Sequence, residues 1–284
     1  MGIWLLSISG IITIAFIIVI FIGLSREKAK RNEQVAMLIQ SASQPSGSIV
    51  DFNSLSALPA PVARYFRHVL TDGQKLIKTA RMHQSGLLRA GVTKERWSAF
   101  TAQQLAVPPA TGFIWNAKVE MPFSTHVRVL DSYSRGIGSG RVSLFSAFSV
   151  ASEAGSCELN SGALHRYLAE SVWFPTALLP ESGVTWSPIN DYSALATITD
   201  NGTTVSLEFQ FGDAGEVIGI YTPNRYGIFG GAYQQVPWEG HFRNYQVRAG
   251  MRVPLYGEVG WYVEGRLQLV WKGDLTDVQY EFEA

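Results

Sequence analysis

The stretch that most clearly sets the fold is VSLEFQFGDAGEVIGI, residues 205–220. Apolar residues occupy every second position from Val205 to Phe211, with polar residues between them, and the apolar run resumes at Val217 after a glycine-rich turn. Successive side chains of a β-strand point to opposite faces of its sheet. The pattern therefore predicts a hairpin of two antiparallel strands with one buried face and one solvent-exposed face.

The same two-residue period recurs on both sides of this hairpin. It predicts strands at about 76–89, 95–106, 113–121, 127–133, 238–248, 252–261, 266–272 and 276–283. Short turns join most of these segments, which indicates antiparallel neighbours because parallel pairs need long crossover connections. A sheet of roughly ten strands must curl, close or split into two.

Two amphipathic helices interrupt the strands. Pro61 suits a first helical turn, and apolar residues then recur at helical spacing up to Leu70. The second helix is predicted at 161–174, with Asn160 or Ser161 as its N-cap. Pro175 is expected to end or kink it. A helix this apolar is expected to lie on the concave face of a curved sheet.

Residues from about Ile3 to Leu24 carry no charge. As a helix they would span roughly 33 Å at 1.5 Å per residue, which is enough to cross the hydrocarbon core. A cleaved signal peptide would have a basic start and a shorter apolar stretch. The sequence therefore predicts three parts: a transmembrane helix at 1–25, a juxtamembrane segment and linker at 26–57, and an antiparallel β domain at 58–284.

Four basic residues follow the apolar segment, and none precedes it: Arg26, Lys28, Lys30 and Arg31. The positive-inside rule then places the C-terminal domain in the cytoplasm of a single-pass inner-membrane protein. The same charges could instead bind anionic lipid head groups, which leaves a periplasmic or other extracytoplasmic domain as the alternative.

The amino-acid composition limits the possible classes of function. The 284-residue chain has a formal net charge of zero, which argues against a nucleic-acid partner. Its charged fraction of 16% is well below the roughly 25% of a typical soluble domain, and 12% of its residues are aromatic. This combination favours a large core, an apolar cavity or a membrane-facing surface. The single cysteine, Cys157, excludes an internal disulfide, and we expect its thiol to be buried.

No motif predicts a metal site, a cofactor or a catalytic residue. The five histidines are dispersed, and no nucleophile elbow of the hydrolases occurs. Charged and tryptophan residues of the helix and strands are the candidates for contact with a ligand: Arg166, Glu170, Trp173, Trp115, Asp131, Trp238, Glu239 and Arg243. Trp186 and Trp261 are further candidates for lining a cavity.

The segment RYLAESVWFPTALLP, 166–180, resembles a bacterial domain family of unknown function whose members often carry an N-terminal membrane helix. The same resemblance extends to LPAPVARYF (58–66), GFIWNA (112–117), VRVLDSY (127–133) and PWEG (237–240). At the level of architecture, many antiparallel strands with one long-range helix resemble the LolA-like half-barrel of bacterial lipoprotein carriers. That resemblance implies a mainly β fold, with one or two helices on the concave face of a curved sheet, and an apolar cavity.

Three functions are compatible with these features. The first is a membrane-anchored, non-catalytic binding module for an apolar ligand such as a lipid or an acyl chain. The second is a scaffold or protein-interaction domain with a filled core. The third is a hydrolase or isomerase that uses a buried carboxylate, Glu170 or Asp131, as acid or base.

Overall fold

The computed structural model describes residues 2–42, 49–92 and 96–283, with side chains at Ile18 and from residue 20 onward. Its α-helices are α1 (Gly2–Gln40), α2 (Ala60–Val69) and α3 (Cys157–Glu170). Five short 3-10 turns lie at Ser54–Ala57, Pro108–Ala110, Ser171–Trp173, Pro175–Leu178 and Pro180–Ser182.

Thirteen strands in these ranges form one sheet. They are β1 (Ile77–Leu88), β2 (Ser98–Val107), β3 (Gly112–Met121), β4 (Thr125–Ser134), β5 (Ile137–Leu144), β6 (Phe148–Ala154), β7 (Val184–Asn190), β8 (Ser193–Asp200), β9 (Thr203–Phe211), β10 (Val217–Phe229), β11 (Ala232–Arg248), β12 (Met251–Val263) and β13 (Arg266–Phe282).

The sheet consists of two antiparallel meanders that meet in its middle. The strand order is β6-β5-β4-β3-β2-β1-β13-β12-β11-β10-β9-β8-β7. Strands that follow one another in sequence pair, except for β6 and β7, which are the two edges, and β1 pairs with β13 at the junction. Strongly twisted sheets of more than about ten strands rarely stay open, and this sheet curls into a half-barrel.

The connection between β6 and β7 joins the two edges of the sheet and therefore crosses its whole width. It does so through α3 and the three 3-10 turns that follow, over the concave inner face. Ser156 caps α3, with its hydroxyl accepting a hydrogen bond from the backbone N–H of Leu159. Leu164 and Leu168 are fully buried against the sheet. This crossing connection turns an open sheet into an enclosed core.

Helix α2 covers another part of the inner face. Its Tyr65 and Phe66 are fully buried, and their rings lie 5.8 Å from Phe211 and 6.4 Å from Trp186. The prediction of a mainly β fold with helices on the concave face of a curved antiparallel sheet is confirmed.

The C-terminal half of α1 lies on the opposite, outer face. Leu38 is fully buried there with Leu105, Val107 and Ile114 of β2 and β3. Farther back along the helix, Glu27 forms an ion pair of 3.3 Å with Arg141 of β5. Strands β2 and β3 are consequently covered on both faces, which explains why twelve of the sixteen residues from Ala102 to Ala117 are buried.

The predicted transmembrane helix is not supported. In the described part of the chain, no helix has the length and apolar character needed to span a membrane. Most of the predicted span, 1–25, lies outside the residues whose side chains are described, as does most of the predicted linker between Ser41 and Ser48.

Three predictions about local structure are wrong. Helix α3 begins at Cys157 and not at 161, because Ser156 is the cap. Cys157 is exposed on the first turn of that helix, so its thiol is not buried. The strands predicted at 266–272 and 276–283, with a turn at Gly273 between them, are one long strand, β13, in which Gly273 pairs with both Gly86 and Gly257.

Candidate functional site

A cavity of about 280 Å³ lies between α3 and the inner face of the sheet. We call it the tryptophan cavity. Its lining includes Trp115, Asp131, Arg166, Glu170, Trp173, Arg225, Trp238, Phe242, Trp261 and Trp271, with Val129 and Val259 among smaller residues. Six of the eight residues proposed from the sequence are therefore brought together, although they come from β3, β4, α3, the turn after it and β11.

Arg166 is the electrostatic centre of this site. Its Nε donates to Oε1 of Glu170 at 2.7 Å, and its Nη1 donates to Oδ2 of Asp131 at 2.9 Å. The Glu170 contact joins residues four apart on one helix, whereas the Asp131 contact ties the helix to β4. The register puts Asp131 directly opposite Trp115, which fixes its side chain on the inner face.

A chain of buried amides continues from Glu170 into the sheet. Gln104 donates to Oε2 of Glu170 at 2.6 Å, and Gln84 donates to Oε1 of Gln104 at 2.9 Å. The indole Nε1 of Trp115 donates to Oε1 of Gln84 at 2.8 Å. Both glutamines are only 3% exposed, so each needs these partners. Neither glutamine was predicted as a site residue, because a glutamine at an inward position of a strand cannot be distinguished by sequence from an outward one.

Burial and the neighbouring charges shift the pKa values of Asp131 and Arg166. Burial raises the pKa of the Asp131 carboxyl above its usual range, and the attraction of Arg166 offsets part of that rise. Burial opposes the charge of Arg166, but Glu170 and Asp131 together raise its pKa above the usual value. The two carboxylates and the guanidinium thus form one coupled group.

Aromatic rings supply the walls. The Arg166 guanidinium lies 4.8 Å from the Trp115 ring and 5.1 Å from the Phe113 ring. Across the cavity, Trp173 contacts Trp271 at 6.2 Å between ring centroids and Phe242 at 6.1 Å. Rings this large and rigid make a wall that holds its shape without a ligand.

Arg225 is a charged residue of the site that the sequence analysis did not predict. It follows an irregularity in the pairing of β10 with β11, between Thr222 and Arg225, and the preceding Pro-Asn pair resembles a loop. Its guanidinium lies 4.5 Å from the Trp238 ring and 4.9 Å from the Trp261 ring. Its Nη2 donates to the carbonyl oxygen of Gly162 on α3 at 3.0 Å. Burial and the nearby Arg166 lower its pKa to about 9.

Glycines make room for the tryptophan rings. Gly86, Gly273 and Gly257 pair across three adjacent strands. A Cβ on Gly257 would lie 3.3 Å from Cζ2 of Trp173, and one on Gly273 would lie 3.0 Å from Cζ2 of Trp271. A glycine inside a strand often marks such a close approach, and this was the available sequence signal.

The remaining two predicted residues lie elsewhere. Glu239 and Arg243 alternate with Trp238 and Phe242 along β11, so they face outward. Glu239 bonds His241 at 2.9 Å and accepts from the Tyr262 hydroxyl at 2.8 Å, while Arg243 stacks on Tyr256. They do not line the tryptophan cavity. Trp186 packs in the core, where its Nε1 donates to the carbonyl oxygen of Leu178.

A second cavity of about 150 Å³ shares Asp131, Arg166 and Arg225 with the first. The two guanidinium groups therefore border both cavities. Among the described residues, no group of three or more His, Cys, Asp or Glu side chains is arranged to hold a metal ion. What the arrangement offers is an apolar space with polar donors at its border.

The fold and this site define an open antiparallel half-barrel whose crossing helix encloses an aromatic cavity. The chain belongs to the family described as "Family of unknown function (DUF6920)", whose model matches residues 56–280. The family resemblance expected from the sequence is thus confirmed. No curated protein matches the chain.

Two solved structures are among those similar to the chain. A LolA superfamily protein from Nitrosomonas europaea has 9% sequence identity and a TM-score of 0.43, and the match covers 82% of this chain and 94% of that one. A DUF1329 family protein from Desulfovibrio piger has 9% identity and a TM-score of 0.41, with 72% of this chain and 86% of that one covered.

Proposed function

We propose that the protein is a binding module that holds an apolar molecule, such as a lipid or an acyl chain, in the tryptophan cavity. The observation that carries this proposal is the partly open, aromatic-lined cavity between α3 and the inner face. A scaffold domain was expected to have a filled interior, and the cavity argues against that alternative. The two carboxylates of the hydrolase or isomerase alternative are both bound by Arg166, which fits a structural role.

The volume limits the ligand. Binding cavities usually measure roughly 300–1,000 Å³, so this one is at the small end. A methylene group is close in size to a water molecule, at about 30 Å³, so the cavity holds roughly nine methylene groups. Burial of that many methylenes would contribute about 7 kcal/mol before the cost of association. The cavity therefore suits a short apolar molecule or one segment of a longer chain.

The ligand can be tested on the full chain. The protein is purified from membranes, extracted with organic solvent, and its extract is analysed by mass spectrometry together with two matched variants. Val259→Phe places a ring in the cavity, and Val247→Phe adds the same ring at a position that is 53% exposed. We expect one apolar molecule per chain in the wild type and in Val247→Phe, and much less in Val259→Phe. An extract that is the same for all three proteins would contradict the proposal.

Attachment to the inner membrane through residues 1–25 is part of the proposed function, with the domain on the cytoplasmic side. Support comes from the uncharged run 3–24 and from apolar side chains near its end. Phe21 is 69% exposed, and Phe123, in the β3–β4 turn, is 97% exposed. Gly23 packs closely against Ala147 in the β5–β6 turn. These turns would then lie near the lipid head groups.

Two experiments test this attachment. Carbonate washing of membranes should leave the wild type bound and release an Ile14→Lys/Ile17→Lys variant, with Ile189→Lys, an exposed site on β7, as the control. Release of the wild type would refute the attachment. A C-terminal reporter that is active only outside the cytoplasm should stay inactive, and its activity would reverse the orientation.

A further inference from the structure

Two buried N–H groups at the tryptophan cavity have no hydrogen-bond partner in the described part of the chain. They are Nε1 of Trp173 and Nε of Arg225. Trp173 is only 2% exposed, so solvent does not readily satisfy its indole nitrogen. An unpaired buried donor costs about 1–3 kcal/mol, and native structures contain few of them. Both orphan groups at this cavity are donors.

The two arginines of the site differ in their pairing. Arg166 is held by two carboxylates at 2.7 and 2.9 Å. Arg225 has no carboxylate within 4 Å among the residues that the structure describes, and its polar contact is the carbonyl oxygen of Gly162. Its other neighbours are the faces of Trp238 and Trp261. Within the described ranges, Arg225 is thus a cation flanked by aromatic rings without a direct ion pair, although the charges of Glu170 and Asp131 act on it and offset part of the lowering of its pKa by burial. Its unpaired Nε can donate a charge-assisted hydrogen bond to an anion.

We infer that the ligand is an amphiphile whose acidic head group, a carboxylate or a phosphate, binds between Arg225 and Trp173 while its apolar part lies among the other tryptophans. This inference rests on the proposed function and adds the chemistry of the head group. The head group accepts hydrogen bonds from Nε of Arg225 and from Nε1 of Trp173. Asp131 and Glu170 do not compete for these donors, because Arg166 engages both.

The test is a titration of the full chain, held in amphipol, with three probes of equal chain length: decanoate, decyl phosphate and decanol. Binding is followed by intrinsic tryptophan fluorescence, since Trp115, Trp173 and Trp238 line the cavity. We expect at least one of the two acids to bind on the order of tenfold or more tightly than decanol, because a hydrogen bond to a charged group is worth about that much. The comparison of decanoate with decyl phosphate distinguishes the two acids.

Variants separate the head group from the cavity. Arg225→Gln and Trp173→Phe should each reduce the ratio of acid affinity to decanol affinity on the order of tenfold. Arg225→Lys keeps the charge and should retain part of the preference. Arg243→Gln removes an arginine from the outer face and should change nothing. If Arg225→Gln does not fold, as judged by circular dichroism, Trp173→Phe and Arg225→Lys still decide the question.

The outcomes distinguish the two proposals. Equal affinity for decanol and both acids, unaltered by the variants, would overturn the acidic head group and leave the apolar binding module standing. Failure of all three probes to bind would contradict the binding module itself. An acid preference that survives both Arg225→Gln and Trp173→Phe would place the head group elsewhere and overturn this assignment.

Discussion

Replacement of Arg166 by Met should destabilise the protein strongly at pH 8 and much less at pH 5. The substitution keeps an apolar stem of similar length but leaves Asp131 and Glu170 facing each other without their cation. Breaking a buried ion pair by removing one partner costs roughly 3–5 kcal/mol. The three side chains are 20%, 33% and 15% exposed, so solvent screens part of this effect. We therefore expect a loss of about 3 kcal/mol at pH 8.

The pH dependence follows from the sign of the pKa changes. Burial already raises the pKa of Asp131 in the folded protein, and Arg166 holds it down. Without Arg166, the folded-state pKa of the Asp131 carboxyl rises further above its unfolded value. Each unit of rise is worth about 1.4 kcal/mol of stability that is present at low pH and lost as pH rises through the raised value. The penalty of the variant should shrink toward pH 5.

The assay is guanidinium unfolding of the full chain in a non-ionic detergent, followed by far-UV circular dichroism at both pH values. Arg243→Met, on the outer face, is the control and should cost well under 1 kcal/mol because that side chain is 56% exposed. A difference below about 1 kcal/mol at pH 8, or an equal loss at both pH values, would refute the account of Arg166 as the partner of two enclosed carboxylates.

Three further predictions concern the same core. His165 is 5% exposed, and burial lowers its pKa to about 4. Because the folded-state pKa lies below the unfolded value, the protein loses stability as pH falls from about 6.5 to 4. His165→Leu should lessen this loss, measured as the free energy of unfolding at each pH. If His165→Leu lost as much stability as the wild type over this pH range, the prediction would be contradicted. Tyr280→Phe removes the 2.6 Å hydrogen bond to the carbonyl oxygen of Trp173 and should cost about 1 kcal/mol; no loss in denaturant midpoint would argue against that bond. Gly257→Ala brings a Cβ to 3.3 Å from the Trp173 ring and should cost about 1–3 kcal/mol of unfolding free energy. It should also shift the wavelength of tryptophan emission. A variant with the stability and emission spectrum of the wild type would show that the ring has room for the methyl group.

The local structure of this protein is largely predictable from its sequence. The alternation from Val205 to Phe211 appears in β9 as buried residues at every odd position. The predicted helix 161–174 ends earlier, because the regular α3 stops at Glu170 and a 3-10 turn, Ser171–Trp173, follows it. Pro175 then begins another 3-10 turn, as suits a residue that lacks a backbone N–H. These features depend on residues only a few positions apart. The hydrophobic periodicity and the helix-breaking prolines are therefore sufficient to predict the strand and the approximate end of the helix.

Strand boundaries depended on distant partners. Gly273 looks like a turn residue but lies within β13, because strands from both meanders pair with it. The predicted count of roughly ten strands fell short of thirteen for a related reason. Edge strand β6, for example, consists of seven exposed residues with no buried alternation, and its assignment rests on its pairing with β5.

The sequence alone determined the mainly β class of the fold, the antiparallel pairing of successive strands and the presence of a helix between them, and it named six of the residues that the structure places around the cavity. Only the tertiary structure decided that the crossing helix encloses a space, that Arg225 faces inward, and that Glu239 and Arg243 face outward. The reason is physical. Periodicity records which face of an element is buried, but a cavity depends on volumes contributed by strands far apart in the chain, and an unpaired donor exists only once every possible partner has been placed.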